Sequence, residues 1–141
     1  MNLKTKSANE TKIAGKKLAE KIKKEGSPSV IALQGELGSG KTTFVKGFAE
    51  EFNLKEITSP TFVLMKKYKV NGRFDFLYHM DFYRMDENSS LGNIDLEEIM
   101  NNPRKIILIE WPKKIAGLPE EALLLEFEFL SEKERIIRSS G

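Results

Sequence analysis

The stretch "SVIALQGELGSGKTTF", Ser29 to Phe44, decides the fold of this chain. Its first seven residues are a short apolar run that ends in glycine, which predicts a buried strand followed by a tight turn. The segment "GELGSGKT", Gly35 to Thr42, then matches the pattern G-x-x-x-x-G-K-[ST] at every position. A strand, a glycine-rich loop and a helix in this order predict a phosphate-binding loop. The apolar face of the predicted helix consists of Phe44, Val45, Phe48, Ala49 and Phe52.

The residue types of this loop fit the binding of a triphosphate. Glycines let the main chain curl so that several N–H groups face one anion, and the start of the helix adds positive potential. We expect Lys41 to reach the β- and γ-phosphates and the Thr42 hydroxyl to bind magnesium. Glu36 has a second interpretation, as an acid that only faces water. The predicted nucleotide-binding residues of this segment are Gly35, Glu36, Leu37, Gly38, Ser39, Gly40, Lys41, Thr42 and Thr43.

The composition is typical of a globular protein. The 141 residues are 40% hydrophobic and 31% charged, which predicts one domain over residues 1–141. The sequence has no cysteine, which excludes disulfides and thiolate metal sites. Its aliphatic runs are far shorter than the ~20 residues of a membrane span, and no apolar signal segment opens it, which predicts a cytoplasmic protein without membrane contact. The net charge of +2 is too small to indicate direct electrostatic binding of a nucleic acid.

An Asn-Gly dipeptide at 71–72 interrupts the alternating segment "SPTFVLMKKYKVNGRFDFLYHMDFYR" and is a strong signal for a two-residue hairpin turn. With these turn residues, Val70 faces Arg73. The same register, continued without a bulge, places Thr61 and Asp81 together at the open end of the hairpin, roughly 30 Å from the turn.

Further elements follow from local signals. Ser7 and Glu10 form a capping box for a helix that Gly26 ends. A short helix is predicted for residues 95–100, and a fully buried strand is predicted for residues 105–111. Two more strands are predicted for the segments "EALLLEFEFL" and "EKERIIRS". The predicted fold is therefore α/β, a mixed sheet of the P-loop NTPase type with flanking helices and an antiparallel hairpin. The first of the two late strands is expected to place Leu123, Leu125, Phe127 and Phe129 on one face.

Two acids are candidates for the metal and the reacting water. Glu110 ends the buried strand of "RKIILIEWP", on the side where ligands of open α/β sheets bind, and would orient the attacking water or bind the metal. P-loop proteins more often place an aspartate at such a strand end, and we expect Asp81 of the hairpin to supply it. Asp81 has a second interpretation, as a strand-end acid bonded to nearby backbone. The predicted catalytic residues are Lys41, Asp81 and Glu110, and the predicted magnesium ligands are Thr42, Asp81 and Glu110.

Four motifs occur in order along the chain, and they are "GELGSGKTTF" from Gly35, "SPTF" from Ser59, "HMDFYR" from His79 and "IEW" from Ile109. This combination resembles the TsaE (YjeE) family, the P-loop ATPases of bacterial tRNA threonylcarbamoyladenosine (t6A) biosynthesis. The likeness covers most of the chain from Ser7 to Trp111. The P-loop alone would indicate only a superfamily, whereas the four motifs together are far more specific.

The resemblance implies a small ATPase that binds and hydrolyses ATP with Mg²⁺ and works with two protein partners, TsaD and TsaB. TsaD would perform the carbamoyl transfer to tRNA adenosine, so this protein would support the cycle and not transfer the group itself. Whether its contact with tRNA is direct or indirect stays open at the level of sequence. The resemblance also points to Asp81 as the acidic partner of the magnesium ion.

Four further residues each have more than one interpretation. Thr61 would sense the γ-phosphate or magnesium as a switch threonine does, or would merely begin a strand. Trp111 would cover the nucleotide, dock a partner or pack in the core; Thr61 and Trp111 complete the predicted ATP-binding set. His79 lies two residues before Asp81 and on the same strand face, where it would support the site or be structural. Arg84 would act as an arginine finger or pair with an acid.

Two other functions remain open at the level of sequence. In a nucleotide-gated binding module, ATP occupancy would order the "SPT" segment and set the affinity for a partner, with hydrolysis only a slow reset. A small-molecule kinase would use the same loop but needs an acceptor pocket and usually an arginine-rich lid. The sequence has only five arginines, and no segment collects them.

Overall fold

The computed structural model of the protein describes residues 2–36, 38–55, 65–81, 96–110 and 118–140. Within these ranges, no helix is both long and apolar enough to cross a membrane. The strands are β1 (Asn2–Thr5), β2 (Val30–Gln34), β3 (Met65–Lys69), β4 (Phe76–Asp81), β5 (Lys105–Glu110), β6 (Leu123–Phe129) and β7 (Arg135–Ser140). The helices are α1 (Ala8–Glu25), α2 (Lys41–Glu51) and α3 (Leu96–Met100).

The seven strands form one sheet in the order β1-β7-β6-β2-β5-β4-β3. β2 is parallel to both β5 and β6, and β4 is parallel to β5. The pairs β3–β4, β6–β7 and β1–β7 are antiparallel. The predicted mixed α/β sheet with an antiparallel hairpin is confirmed. Strand β1 was not predicted, because three of its four residues are exposed and carry no apolar pattern.

Helix α1 begins and ends at the predicted signals. The Ser7 hydroxyl accepts a hydrogen bond from the Glu10 N–H at 3.1 Å. The Glu10 carboxylate in turn accepts from the Lys6 N–H at 3.0 Å, one residue before the partner that the standard capping box uses. At the other end, Gly26 has a φ of 81° and its N–H donates to the Ile22 carbonyl at 2.7 Å. Only glycine adopts that left-handed conformation without steric cost, which ends the helix there.

The two faces of the sheet are covered unequally. Helices α1 and α2 pack over the larger core, to which β5 contributes Ile106 and Leu108. The alternate residues Ile107 and Ile109 face a smaller core that includes Met100 of α3. Because side chains alternate along a strand, Glu110 continues the row of Ile106 and Leu108 and points to the α2 side.

Strand β6 follows the predicted alternation but leaves the core before its end. Leu125 and Phe127 are buried, and Leu123 is half-buried. Phe129 shares their face but is 53% exposed. Its ring is covered instead by the guanidinium of Arg135, whose carbon lies 4.6 Å from the ring centroid.

The hairpin of β3 and β4 is present, but the predicted register is wrong by two residues. Val70 donates its N–H to the Asp75 carbonyl at 3.0 Å and does not pair with Arg73. The ladder continues as Lys69 opposite Phe76. The reason is Phe74, which is 1% exposed and packs edge-on against Phe52 of the core. Burial of this ring lengthens the turn to four residues. The predicted position of Thr61 lies outside the described residues.

Two glycines let helices α1 and α2 approach backbone to backbone. A Cβ atom on Gly47 of α2 would overlap the Lys12 carbonyl oxygen of α1 and lie 3.0 Å from the Lys12 Cα. A Cβ atom on Gly15 of α1 would overlap the Phe44 carbonyl oxygen and lie 3.0 Å from the Phe48 nitrogen. Since both neighbours are backbone, they cannot rotate away as a side chain would. The absence of side chains at Gly15 and Gly47 therefore fixes α2 against α1.

We expect Gly47→Ala to lower the free energy of unfolding by about 1–3 kcal/mol, the usual cost of overpacking. In an unobstructed helix the same change would stabilise by about 1 kcal/mol. The matched control is Lys46→Ala, one position earlier on α2 with its side chain exposed, which should change stability by less than about 0.5 kcal/mol. Urea unfolding followed by circular dichroism measures both variants. A Gly47→Ala protein more stable than the wild type would contradict the close approach.

Candidate functional site

Three strand ends align at one edge of the sheet. The register of β2 with β5 places Leu33 opposite Glu110, and the register of β4 with β5 places Asp81 opposite the same Glu110. The phosphate loop begins at Gly35, two residues after Leu33. The two predicted acids and the loop therefore share the carboxyl edge of adjacent parallel strands, where open α/β sheets bind their ligands. Asp81 reaches this place because β4 runs parallel to β5, and not through the predicted hairpin register.

The loop has the conformation that an anion requires. Gly38 and Gly40 have φ angles of 78° and 102°, which a residue with a side chain adopts only under strain. A tight turn is closed by the Ser39 N–H, which donates to the Glu36 carbonyl at 3.1 Å. Helix α2 starts at Lys41, and its N-cap, Gly40, supplies no side-chain hydrogen bond. The first N–H groups of α2 therefore have no capping side chain and are positioned to bind an anion.

Lys41 is the buried cation of the site. Its side chain is 4% exposed, and its Nζ donates to the Gly35 carbonyl at 2.6 Å. Burial lowers the pKa of Lys41 below its ordinary value, while the negative charges of Glu110, Asp81 and Glu36 partly offset that effect. Three carboxylates thus lie close enough to the ammonium group to act on its charge. Such a cation on a neutral carbonyl would gain from exchanging that partner for a phosphate oxygen, because charge-assisted hydrogen bonds are stronger.

The hydroxyl groups around Lys41 differ in exposure. Thr42 is exposed and Thr43 half-buried. Ser39 is 1% exposed, and its Oγ has no hydrogen-bond partner within the described part of the chain. A buried hydroxyl without a partner lowers stability unless a ligand or a water molecule supplies the missing hydrogen bond. Ser39, Lys41 and the N-terminus of α2, which has no side-chain cap, together fit the oxygens of a phosphate chain.

The acids fit a magnesium ion only together with such phosphates. The described residues hold no group of three or more His, Cys, Asp or Glu side chains that could bind a metal by themselves. Magnesium commonly takes one or two protein ligands and completes its shell with phosphates and water. The exposed Thr42 hydroxyl and the half-buried Asp81 at the same edge match that pattern.

His79 and Glu110 form a buried pair beneath this edge. Their side chains are 2% and 6% exposed, and Nε2 of His79 lies 2.6 Å from Oε2 of Glu110. The sequence indicated the strand face of His79 but not this contact, because Glu110 is 31 residues away along the chain.

One neighbour of the loop was missed by the sequence argument. Arg135 of β7 borders Gly40, since a Cβ atom there would lie 3.4 Å from the Arg135 Cγ. Together with Thr11, Thr43 and Lys133, these residues line a small cavity of about 40 Å³. No local signal marks Arg135, because β7 is brought to the loop only by the sheet. Four residues with predicted roles lie outside the described part of the chain, and they are Leu37, Thr61, Arg84 and Trp111.

Comparison with known proteins identifies the family. Residues 5–137 match the sequence model of "Threonylcarbamoyl adenosine biosynthesis protein TsaE". The chain belongs to the TsaE family. A TsaE protein of Bacillus subtilis is 43% identical over 111 residues, which are 77% of this chain and 66% of that relative. A TsaE protein of Treponema pallidum is 40% identical over 111 residues, which are 77% of this chain and 79% of that relative.

The fold of this TsaE family member is shared with a solved structure. The crystal structure of YdiB from Bacillus subtilis superposes with a TM-score of 0.74 at 34% sequence identity. The superposition covers 99% of this chain and 83% of that one. The curated TsaE relatives are proteins of tRNA threonylcarbamoyladenosine biosynthesis, so the family resemblance drawn from the four motifs is confirmed.

We expect the first residue of the phosphate loop, Gly35, to tolerate no side chain. A Cβ atom on Gly35 would lie 2.7 Å from both the Phe127 carbonyl oxygen and the Ser39 Oγ. A Cβ atom on Gly38 would meet nothing within 4 Å, so Gly38→Ala carries only the strain of its left-handed backbone, about 1–2 kcal/mol. We expect Gly35→Ala to cost at least about 1 kcal/mol more than that, because β6 must also move. Urea unfolding of the two variants measures the difference, and equal costs would contradict the tight contact with β6.

Proposed function

We propose that this member of the TsaE family binds ATP with Mg²⁺ and hydrolyses it to support the threonylcarbamoyl modification of tRNA adenosine. The observation that carries the proposal is the alignment of Glu110 and Asp81 on adjacent strand ends, with Lys41 of the phosphate loop under the influence of both charges. A phosphate-binding loop alone would serve a binding protein. Two acids at the same edge supply groups for a metal and for a water, which hydrolysis needs.

The triphosphate would bind along the loop. The N–H groups at the start of α2 would face its oxygens, and Lys41 would leave the Gly35 carbonyl for the β- and γ-phosphates. Because Glu110 and Asp81 lie on the β5 side of β2, the γ-phosphate would lie on that side. The nucleoside would then extend to the β6–β7 side, where Gly40 and Thr43 line the small cavity.

Thr42 and Asp81 would hold the magnesium ion. Bound there, it would neutralise charge on the β- and γ-phosphates. Glu110 would accept a hydrogen bond from the attacking water and orient it in line with the γ-phosphate. The protein itself forms no bond to the phosphoryl group, so its contribution is position and charge. Thr61 and Trp111 are proposed to contact the nucleotide as well.

The partners proposed for this activity are TsaD and TsaB. Membership of the TsaE family supports a role in t6A biosynthesis, and an ATPase of this size would act there by changing the state of the carbamoyl-transferring TsaD. The net charge of +2 supports only indirect contact with the tRNA.

Substitutions should separate binding from turnover. We expect Lys41→Ala to abolish ATP binding because the buried cation is lost. Asp81→Ala and Glu110→Ala should still bind ATP but lose at least about 100-fold in kcat, the usual effect of removing a group that acts on the reacting water or charge. The matched control is Lys46→Ala, an exposed lysine of the same helix, which should do neither.

The measurements are ATP affinity by calorimetry and phosphate release with the TsaD–TsaB complex present and no other acceptor added. Full hydrolysis by Glu110→Ala would remove Glu110 from the mechanism. ADP formation that requires an added small-molecule acceptor and releases no free phosphate would identify a kinase instead, because the phosphoryl group would then be on the acceptor.

The contact of Lys41 with Gly35 also supports a gating role, because nucleotide binding would move the Lys41 ammonium group off the Gly35 carbonyl. If occupancy sets partner affinity, TsaD–TsaB should bind the ATP form or the ADP form of this protein at least about 10-fold more tightly than the other, a coupling of about 1.4 kcal/mol. Titrations with ATP, ADP and a non-hydrolysable analogue measure this, and equal affinities in all three would exclude gating.

A further inference from the structure

His79 makes one strong polar contact, and it is with Glu110. The pair is buried at both partners, and Nε2 lies 2.6 Å from Oε2. With Glu110 ionised, its carboxylate can only accept a hydrogen bond, and Nε2 of His79 is then the donor. The other ring nitrogen, Nδ1, is buried and has no hydrogen-bond partner within the described residues. A histidine that serves only the core usually has both nitrogens satisfied, whereas this ring is oriented by Glu110 alone.

The sheet explains why these two side chains meet. In the parallel register of β4 and β5, His79 lies opposite Leu108, and Asp81 lies opposite Glu110. His79 and Asp81 share a strand face, and so do Leu108 and Glu110. His79 is therefore the diagonal neighbour of Glu110, one side-chain repeat further from the edge. Its ring therefore lies behind the Glu110 carboxylate, on the side away from the carboxyl edge of the sheet.

The contact restrains a side chain that would otherwise be free to turn. Glutamate has several rotatable bonds, and fixing them costs conformational entropy. The hydrogen bond from His79 holds Oε2 and leaves Oε1 without a hydrogen bond to any described residue. The charge of Glu110 also acts on Lys41. The carboxylate therefore has a hydrogen bond to His79 on one oxygen and an electrostatic effect on Lys41.

We propose that His79 is a positioning residue that holds the Glu110 carboxylate in the one orientation in which Oε1 faces the attacking water. The inference rests on the proposed function, since it assigns a role within the same hydrolysis. His79 touches neither nucleotide nor water, and it acts only through Glu110. Its loss should therefore reduce kcat and leave the affinity for ATP unchanged.

Two amide substitutions of different reach test the geometry. The terminal nitrogen of His79→Gln lies near the position of Nε2 and can still donate to Glu110, whereas that of His79→Asn lies near Nδ1 and cannot. With TsaD–TsaB present, we expect His79→Asn to lose about 10–100-fold in kcat, the usual loss when the partner that orients a functional side chain is removed. His79→Gln should retain most of the activity, and both should bind ATP within about twofold of the wild type. Equal kcat in Asn and Gln variants would overturn the proposal.

A double-mutant cycle separates positioning from a general structural effect. In a Glu110→Gln background, His79→Asn should cause no further loss of kcat, because its target is already gone. A further loss of the same size as in the wild-type background would show that His79 acts by another route and would overturn the proposal. Thermal unfolding of each variant checks that the fold is kept.

A spectroscopic readout is independent of activity. The sequence contains one histidine, so its ring signals in a nitrogen-15 spectrum need no assignment. We expect an Nε2–H tautomer whose proton signal shifts in Glu110→Gln. An Nδ1–H tautomer, or signals that Glu110→Gln leaves unchanged, would refute the contact. A wild-type protein that does not hydrolyse ATP with its partners, while these signals behave as expected, would contradict the proposed function and not the pairing.

Discussion

The candidate site depends on the pairing of one strand, β5, with a parallel neighbour on each side. One register places Glu110 opposite Leu33, and the phosphate loop starts two residues further along that chain segment. The other register places Glu110 opposite Asp81. A slip of one residue in either pair would turn an acid to the opposite face of the sheet, away from Lys41. Such a slip is unfavourable because it would carry Glu110 to the face of the smaller core, where its buried carboxylate would lose His79 as a partner.

The packing of α2 against α1 determines where the phosphate loop lies relative to these strand ends. The loop can hold phosphate only if α2 starts at a fixed place above the sheet, and the backbone contact of Gly47 with α1 fixes its position laterally. Ion pairs add to the contact at the rim, such as Lys12 with Glu50 at 2.7 Å, although exposed pairs of this kind contribute little. Function therefore depends on residues that never approach a ligand, since a shift of α2 would carry Lys41 with it.

Local signals in the sequence predicted the loop, both long helices and six of the seven strands, because in each case neighbours along the chain determine the structure. Asp81 and Glu110 were predicted to serve one site, but the hairpin register that placed Asp81 beside Thr61 is wrong. The Asn-Gly signal does not indicate that the Phe74 side chain packs in the core and that Phe74 therefore lies in the turn and not in β4. Strand β1 and Arg135 were missed for a related reason, because each acquires its place from a partner far away in sequence. The contact of His79 with Glu110 could not be predicted either. It depends on the parallel register of β4 with β5, which the hydrophobic periodicity of each separate strand does not indicate.

The pairing of β1 with β7 ties residues 2–5 to residues 135–138. A ribosome that adds about 5–20 residues per second needs roughly 7–26 s to travel between these segments. During that interval β2 can pair with β5 and α1 can pack against α2, while β1 lacks the strand beside which it will lie. An open strand edge invites pairing with other chains, and charged side chains such as Lys4 oppose it. In the nascent protein, the candidate site at the ends of β2, β4 and β5 can therefore form before β7 is available to pair with β1.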